Sequence, residues 1–174
     1  TYTEVDAYQC KTLRLEVDRM RPDSTALNAV RLADTWPDPD GIYRERLRPQ
    51  FHFSPARGWT NDPNGMVYYD GEYHLFFQHN PYGVRWGNMT WGHAVSTDML
   101  HWQERRDAIH PDALGTIYSG SAVVDRDNTA GFQSGSEKPL VAFYTSAGGN
   151  NQWSQGQPFT QSMAFSTDRG QTWT

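Results

Sequence analysis

An acidic residue, Asp62, stands inside the heptapeptide WTNDPNG at residues 59–65. A carboxylate can act as a nucleophile or as a general acid or base when the backbone holds it in one orientation. Pro63 has a fixed φ and biases Asp62 towards an extended conformation. Asn64 and Gly65 favour turns, so the sequence predicts a chain reversal that presents the carboxylate on a rigid corner. For an isolated NDPNG, a turn with a solvated aspartate is the simpler interpretation.

An aromatic hairpin follows the heptapeptide and is the first element that must position Asp62. The hairpin MVYYDGEYHLFFQ contains Asp70-Gly71, the dipeptide favoured in two-residue turns where both positions need a positive φ. No long helical pattern appears from Ile42 onward, so the sequence predicts an all-β protein. Further strands are predicted at residues 91–97, 117–125, 140–146 and 161–167.

A short motif occurs twice, as AVSTD at residues 94–98 and as AFSTD at residues 164–168. The copies lie 70 residues apart, and a tryptophan follows each of them. A repeat of several strands indicates a β-propeller, and the chain has room for about two blades. The second copy, STDRGQTW, resembles the Asp-box of propeller glycosidases, in which the aspartate braces a turn. Asp98 and Asp168 are therefore predicted to be structural.

The composition argues against several classes of protein. Charged residues make up 20% of the 174 residues and the net charge is −5, which is unlike a nucleic-acid-binding protein. No run approaches the ~18 apolar residues of a membrane span. The first residues lack the features of a signal peptide, so an export signal was removed or never included. Cys10 is the only cysteine, which excludes an intrachain disulfide.

From Tyr43 onward the sequence resembles the β-fructosidases of glycoside hydrolase family 32, which include exo-inulinases and invertases. The motifs that carry the resemblance occur in the family's order: YRERLRPQFHFSP, WTNDPNG, FFQHNP, WGNMTWGHAVSTDMLHW, YSGSAVV and AFSTDRGQTWT. Thr60 replaces a methionine of many members, and Tyr118 replaces a phenylalanine of most. The resemblance implies that residues 42–174 form about two blades of a five-bladed β-propeller. Residues 1–41, with weak helical periodicity, are an N-terminal extension of unknown structure.

The resemblance also implies an activity and its residues. The family cleaves β-linked fructose with retention, through a covalent fructosyl–aspartate intermediate. Asp62 would be the nucleophile that attacks C2 of a terminal fructose in inulin, sucrose, levan or a related β-fructoside. The substrate-binding residues would be Asn61, Gln78, Trp86 and Ser119, and the pocket wall would include Trp59 and Trp91. A secreted, extracellular protein is expected, with no nucleic-acid or membrane partner.

Three histidines invite comparison with a metal site. His79, His93 and His101 lie on different predicted elements and lack the spacing of metal ligands. Since the family also needs no metal, no metal and no cofactor are predicted. Asn88-Met89-Thr90 is a glycosylation sequon, which makes Asn88 a candidate glycan site if a eukaryote secretes the protein.

The chain lacks two motifs of the family, an Arg-Asp-Pro that stabilises the transition state and a Glu-Cys that supplies the general acid/base. Its own Arg-Asp pairs, Arg106-Asp107 and Arg126-Asp127, are not followed by proline. We therefore expect the chain alone to be inactive, and to fold poorly because two blades expose open strand edges. Two alternatives stay open, a fructosyltransferase of the same family and a non-catalytic fructan-binding propeller. The sequence does not choose between sucrose and inulin.

Overall fold

The computed structural model describes residues 12, 21–33 and 38–174. The chain divides into two units, one that ends at Arg48 and one that continues from Pro49 to Thr174. In the first unit, the described residues form short 3-10 turns at Ala26–Ala29 and Pro39–Gly41. Cys10 and most of the segment with helical periodicity lie outside the described residues.

The second unit contains two antiparallel sheets, and the first is a four-stranded meander. Asp70 and Gly71, with φ angles of 47° and 88°, connect its first two strands, as the Asp-Gly dipeptide predicts. The strands follow the order β1-β2-β3-β4, with β1 at Trp59–Tyr69, β2 at Glu72–Asn80, β3 at Thr90–Ser96 and β4 at Gln103–Glu104.

The second sheet repeats this arrangement with three strands in the order β5-β6-β7, namely Thr116–Val124, Leu140–Ala147 and Thr160–Ser166. Thr174 exchanges backbone hydrogen bonds of 2.9 and 3.0 Å with Phe165. In the first sheet, Gln103 of β4 pairs with Val95 in the corresponding way. The described residues contain no α-helix, and none of their helices could cross a membrane. The predicted all-β class is confirmed, and the two sheets correspond to the two predicted blades.

The two copies of the repeated motif fold into the same turn. Ser96 Oγ bonds to Asp98 Oδ1 at 3.0 Å, and Ser166 Oγ bonds to Asp168 Oδ1 at 2.7 Å. Each aspartate Oδ1 also accepts two backbone N–H groups, from Leu100 and His101 in the first turn and from Gln171 and Thr172 in the second. Both aspartates brace turns, as predicted.

One hydrophobic core joins the sheets. Its members come from both of them and include Phe76, Trp91, Ile117 and Leu140, each with no exposed surface. Strand β1 lies directly against β5 at Gly65, where an added Cβ would stand 2.8 Å from the backbone nitrogen of Ala122. Only a glycine allows the two strands to approach this closely.

A group of polar side chains, called here the Arg169 clamp, joins the loops at one end of the sheets. Arg169 Nε donates to Glu137 Oε2 at 3.1 Å, and its guanidinium also bonds to Asp70 in the β1–β2 turn. The hydroxyl of Tyr69 donates to the same Glu137 oxygen at 2.9 Å. The clamp therefore connects β1 and its turn to the β5–β6 loop and to the second repeated turn.

Candidate active site

The heptapeptide WTNDPNG is the irregular first half of β1 and not a corner. The predicted chain reversal at Asn64-Gly65 is wrong, because β1 continues to Tyr69 and pairs with β2 along its length. The pairing shifts register between Thr60 and Pro63 and again between Pro63 and Gly65. Proline is tolerated at bulges and edge strands, and β1 is an edge of its sheet. The bulge changes the direction in which the residues around Pro63 point.

Asn64 anchors this bulge from the inside. It has no exposed surface. With the amide orientation that satisfies its neighbours, its oxygen accepts the backbone N–H of Gln78 at 3.1 Å and the indole N–H of Trp91 at 3.0 Å. The bulge is thus tied to both β2 and β3. The sequence marks Asn64 only as a turn residue, since no local pattern signals such long-range contacts.

Opposite this anchor, the carboxylate of Asp62 faces solvent where β1 meets β5. Its Oδ2 accepts a hydrogen bond of 2.8 Å from Ser119 Oγ, and its Oδ1 accepts one of 3.3 Å from Asn61 Nδ2. Donors of this kind fix the orientation of a carboxylate. Three predicted site residues, which come from two different sheets, are thereby brought together.

Two predicted site residues lie beneath this surface. Gln78 is 3% exposed, and its amide nitrogen donates to the carbonyl of Ile117 at 3.0 Å. Trp91 is fully buried, and its indole N–H also lies 3.0 Å from the carbonyl oxygen of Tyr118. Trp91 therefore supports the wall from the core and does not line its surface. Trp59, the other predicted wall residue, is half-buried at the start of β1.

Three aromatic rings, called here the ring row, contact one another around Tyr118, the neighbour of Ser119 on β5. Trp86 is 56% exposed, and its ring centroid lies 6.2 Å from that of Tyr118, the residue next to Ser119. Tyr118 lies 5.6 Å from Phe159, again edge to face. The hydroxyl of Tyr118 accepts a hydrogen bond of 2.8 Å from Asn150 Nδ2. The sequence predicts Trp86 as a substrate-binding residue but gives no signal for Phe159 or Asn150.

The three histidines considered as metal ligands have separate partners. His93 lies in the core with its Nε2 3.0 Å from His74 Nδ1, and burial lowers the pKa of His93 to about 3. His101 is exposed, and its hydrogen bond with Asp98 raises its pKa. The structure does not bring these side chains together.

His79, the third, is enclosed between two acceptors. Its Nδ1 lies 2.7 Å from Asp107 Oδ1, and its Nε2 lies 3.0 Å from the carbonyl oxygen of Arg57. Burial disfavours the charged ring, but the hydrogen bond and the charge of Asp107 outweigh it, so the pKa of His79 is raised. Because Asp107 is committed to this contact, it is not available to a substrate.

Asn88, the candidate glycan site, is exposed in the β2–β3 loop. Its Nδ2 lies 3.3 Å from Asn80 Oδ1, and Thr90 Oγ1 donates to the Asn88 carbonyl at 2.9 Å. An attached glycan would replace one hydrogen of that amide nitrogen. Glycosylation of Asn88 stays a prediction.

The site can thus supply one oriented carboxylate next to hydroxyl and amide donors and a partly exposed aromatic wall. Such a carboxylate is suited to attack an electrophilic carbon. The ring row offers an apolar surface to a neutral ligand.

Comparisons with known proteins agree with this chemistry. The sequence model described as "Glycosyl hydrolases family 32 N-terminal domain" matches residues 52–174. A levanase of Bacillus subtilis (strain 168) is 58% identical over 132 residues, which are 76% of this chain and 18% of the relative. An extracellular exo-inulinase of Aspergillus awamori is 46% identical over 143 residues, 76% of this chain and 27% of the relative.

Solved structures give the same result. The crystal structure of exo-inulinase from Aspergillus awamori matches with a TM-score of 0.68 and 46% identity, over 76% of this chain and 28% of that one. A β-fructofuranosidase from Schwanniomyces occidentalis, complexed with fructosyl-erythritol, matches with a TM-score of 0.63 and 43% identity, over 73% and 25% of the two chains. The chain thus spans less than a third of the length of these relatives.

Proposed function

The chain belongs to glycoside hydrolase family 32, and on that premise we propose that it carries the nucleophile and part of the substrate wall of a β-fructosidase. The enzyme would release terminal β-D-fructose from inulin, levan, sucrose or related β-fructosides. Relatives named levanase and exo-inulinase support this substrate class. A relative named as extracellular supports secretion.

The reaction begins with attack by a carboxylate oxygen of Asp62 on C2 of the terminal fructose. As the C2–O bond to the leaving group breaks, the oxygen of the leaving group takes a proton from a general acid. A covalent fructosyl–Asp62 ester remains. Water then attacks C2, the same group accepts its proton, and the carboxylate is released with net retention. The acid/base would stand about 5–5.5 Å from Asp62.

Ser119 and Asn61 orient the nucleophile for this attack. The 2.8 Å hydrogen bond from Ser119 holds one carboxylate oxygen, and Asn61 reaches the other. The ring of Trp86 would complete the pocket with an apolar face, and the buried amide of Gln78 would form its polar floor. On this proposal the 174-residue chain alone is inactive, since it contains no Glu-Cys and no Arg-Asp-Pro.

The observation that carries the proposal is the exposed, doubly hydrogen-bonded carboxylate of Asp62 on a bulged strand. Fructosyl transfer remains an alternative, because a sugar hydroxyl could replace water in the second step. A fructan-binding protein without catalysis is a weaker alternative, since binding alone has no need for an oriented nucleophile.

The test uses the full-length gene product with sucrose and with inulin. We expect Asp62→Asn to lower fructose release at least about 10³-fold, because an amide cannot form the ester. Asp127→Asn changes an exposed aspartate of the β5–β6 loop and serves as the matched control. Unimpaired turnover by Asp62→Asn would refute the proposal. Longer oligosaccharides from the wild type would indicate transfer, and sugar binding without turnover would indicate the binding protein.

A second pair of variants tests the orientation of the nucleophile. Ser119→Ala removes the donor to Asp62, and we expect kcat/KM to fall about 10-fold, the typical cost of a hydrogen bond to a charged group. Ser121→Ala changes the next exposed serine on the same face of β5 and should leave kcat/KM unchanged. Equal effects of the two changes would contradict the role given to Ser119.

A further inference from the structure

The β6–β7 segment has an unusual composition for an exposed loop. Between Lys138 and Asp168 the chain contains no aspartate, glutamate, lysine, arginine or histidine. The connection GGNNQWSQGQPF, residues 148–159, instead combines asparagine and glutamine amides with two aromatic rings. A ligand that contacts its Phe159 end would be recognised through neutral hydrogen bonds and ring contacts and not through charge.

This segment reaches the candidate active site at two points. The ring of Phe159, 58% exposed, contacts Tyr118 at a centroid distance of 5.6 Å. Asn150 Nδ2 donates to the Tyr118 hydroxyl at 2.8 Å. Tyr118 precedes Ser119, which holds the Asp62 carboxylate. Contacts from Trp86 through Tyr118 to Phe159 therefore connect the β6–β7 segment to the strand whose Ser119 holds the nucleophile.

The segment is held in one conformation by its own hydrogen bonds. Asn151 Oδ1 accepts the backbone N–H groups of Trp153 and Ser154 at 3.0 and 2.8 Å. The Asn151 amide nitrogen donates to the carbonyl of Asp112 at 3.1 Å, which ties the segment to the loop before β5. Ser154 is fully buried. A surface fixed in this way binds without a large cost of ordering.

We propose that the ring row and Asn150 form an outer subsite for the second and later sugar units of a fructan chain. Sugar rings are uncharged and present apolar faces and hydroxyl groups, which match aromatic rings and amide groups. Tyr118 is covalently linked to Ser119, which holds the carboxylate, whereas Phe159 belongs to the β6–β7 segment and contacts the ring of Tyr118. Phe159 therefore contacts polymeric substrates and has little effect on sucrose. This inference rests on the proposed β-fructosidase function.

The test compares fructan with sucrose as substrates of the full-length gene product. We expect Phe159→Ala to lower kcat/KM for inulin about 3- to 10-fold, the usual effect of an aromatic contact, and for sucrose less than about 2-fold. Tyr118→Phe removes only the hydroxyl that accepts a hydrogen bond from Asn150. It should also lower kcat/KM for inulin relative to sucrose, by a smaller factor than Phe159→Ala. Trp153→Ala changes another exposed aromatic of the segment outside the row and serves as the control.

A binding measurement separates this proposal from the catalytic one. In the Asp62→Asn protein, titration calorimetry should show weaker inulin binding after Phe159→Ala and unchanged sucrose binding. Thermal unfolding checks that each variant is folded. The subsite would be overturned if Phe159→Ala lowered kcat/KM equally for inulin and sucrose, or did not lower it for inulin. An equal decrease for inulin in Trp153→Ala would overturn it as well. If the wild type releases no fructose from either sugar, the proposed function fails instead.

Discussion

At the scale of single residues, the surroundings of His79 favour a charged ring, which the sequence does not reveal. The Asp107 carboxylate faces Nδ1 of His79, and the Arg57 carbonyl faces its Nε2. Both of these groups can only accept hydrogen bonds. Both nitrogens must therefore be protonated for both bonds to form. The ring is 7% exposed, so its charge depends on Asp107.

This charge predicts a pH-dependent contribution to stability. The folded pKa of His79 is raised above its ordinary value, so the stabilisation is complete below that value and is lost as pH rises through the folded pKa. We expect Asp107→Asn to reduce the free energy of unfolding by about 1.5–3 kcal/mol near about pH 6. The difference in the free energy of unfolding between wild type and Asp107→Asn should become smaller towards about pH 9, because His79 then loses its proton in the wild type as well.

Thermal or urea unfolding of the full-length gene product across this pH range measures the effect. Asp127→Asn, an exposed aspartate in the β5–β6 loop, serves as the control and should show no such pH dependence. A difference between wild type and Asp107→Asn that does not vary with pH would mean that His79 is not charged.

Only part of the site was predictable from residue types. The motifs that resemble the family's point to Asp62, Asn61 and Ser119 as site residues, and the structure brings these three side chains together across two sheets. Asn64 and Phe159 were missed, because their roles depend on partners far away in the sequence. A buried amide and an exposed ring have no local pattern that distinguishes them from a turn residue and an ordinary surface residue.

At the scale of elements, the bulge in β1 depends on close approach to β5. Gly65 has a φ of 141°, a conformation that other residues rarely adopt. An added Cβ would also meet the backbone of Ala122 at 2.8 Å. A side chain at this position is therefore opposed both by the backbone conformation and by contact with the other sheet.

Three glycine-to-alanine changes separate these two effects. Gly135 has open space and no positive φ, so Gly135→Ala should be neutral. Gly71 has open space but a φ of 88°, so Gly71→Ala should cost about 1 kcal/mol. Gly65→Ala should cost more than Gly71→Ala, roughly 2–4 kcal/mol, because strain and contact add.

Gly65→Ala should also lower fructose release, because moving β1 away from β5 separates Asp62 from Ser119. Unfolding and turnover of the three variants, measured in the full-length gene product, check this order. Equal stability losses for Gly65→Ala and Gly71→Ala would show that β5 does not constrain β1.

The elements themselves were predictable with small errors. Four strands were predicted within one residue of their observed ends, since aromatic and β-branched runs are separated by clear turn residues. The start of β1 was missed because proline and Asn-Gly usually end strands, whereas here pairing with β2 and packing on β5 extend the strand through them. Tertiary contacts overrode local preference.

At the scale of the whole second unit, the Arg169 clamp joins the two sheets through exposed charges. Arg169 lowers the pKa of Glu137 by a hydrogen bond, so the contribution of this pair is present at neutral pH and is lost as pH falls. The Arg169 side chain is 32% exposed, which leaves the clamp open to screening by salt.

We therefore expect Arg169→Gln to lower the Tm of the full-length gene product, and to do so more at low than at high ionic strength. Arg126→Gln removes a hydrogen bond from the Arg126 guanidinium to the Tyr68 carbonyl, and it should lower the Tm less. Unfolding at two salt concentrations measures both. A Tm decrease that salt does not change would mean that Arg169 acts through packing on Tyr69 and not through charge.

The hydrogen bond between Ser119 and Asp62 has a consequence for how the protein can evolve. Its two halves belong to different sheets that share one core, so a substitution that alters the seam between β1 and β5 should change turnover as well as stability. Random mutagenesis scored only by sugar release should therefore recover substitutions along this seam as well as substitutions of residues that contact the sugar. Substitutions that raise the thermal stability of the same seam would also change the rate of turnover, because they change how Ser119 holds Asp62.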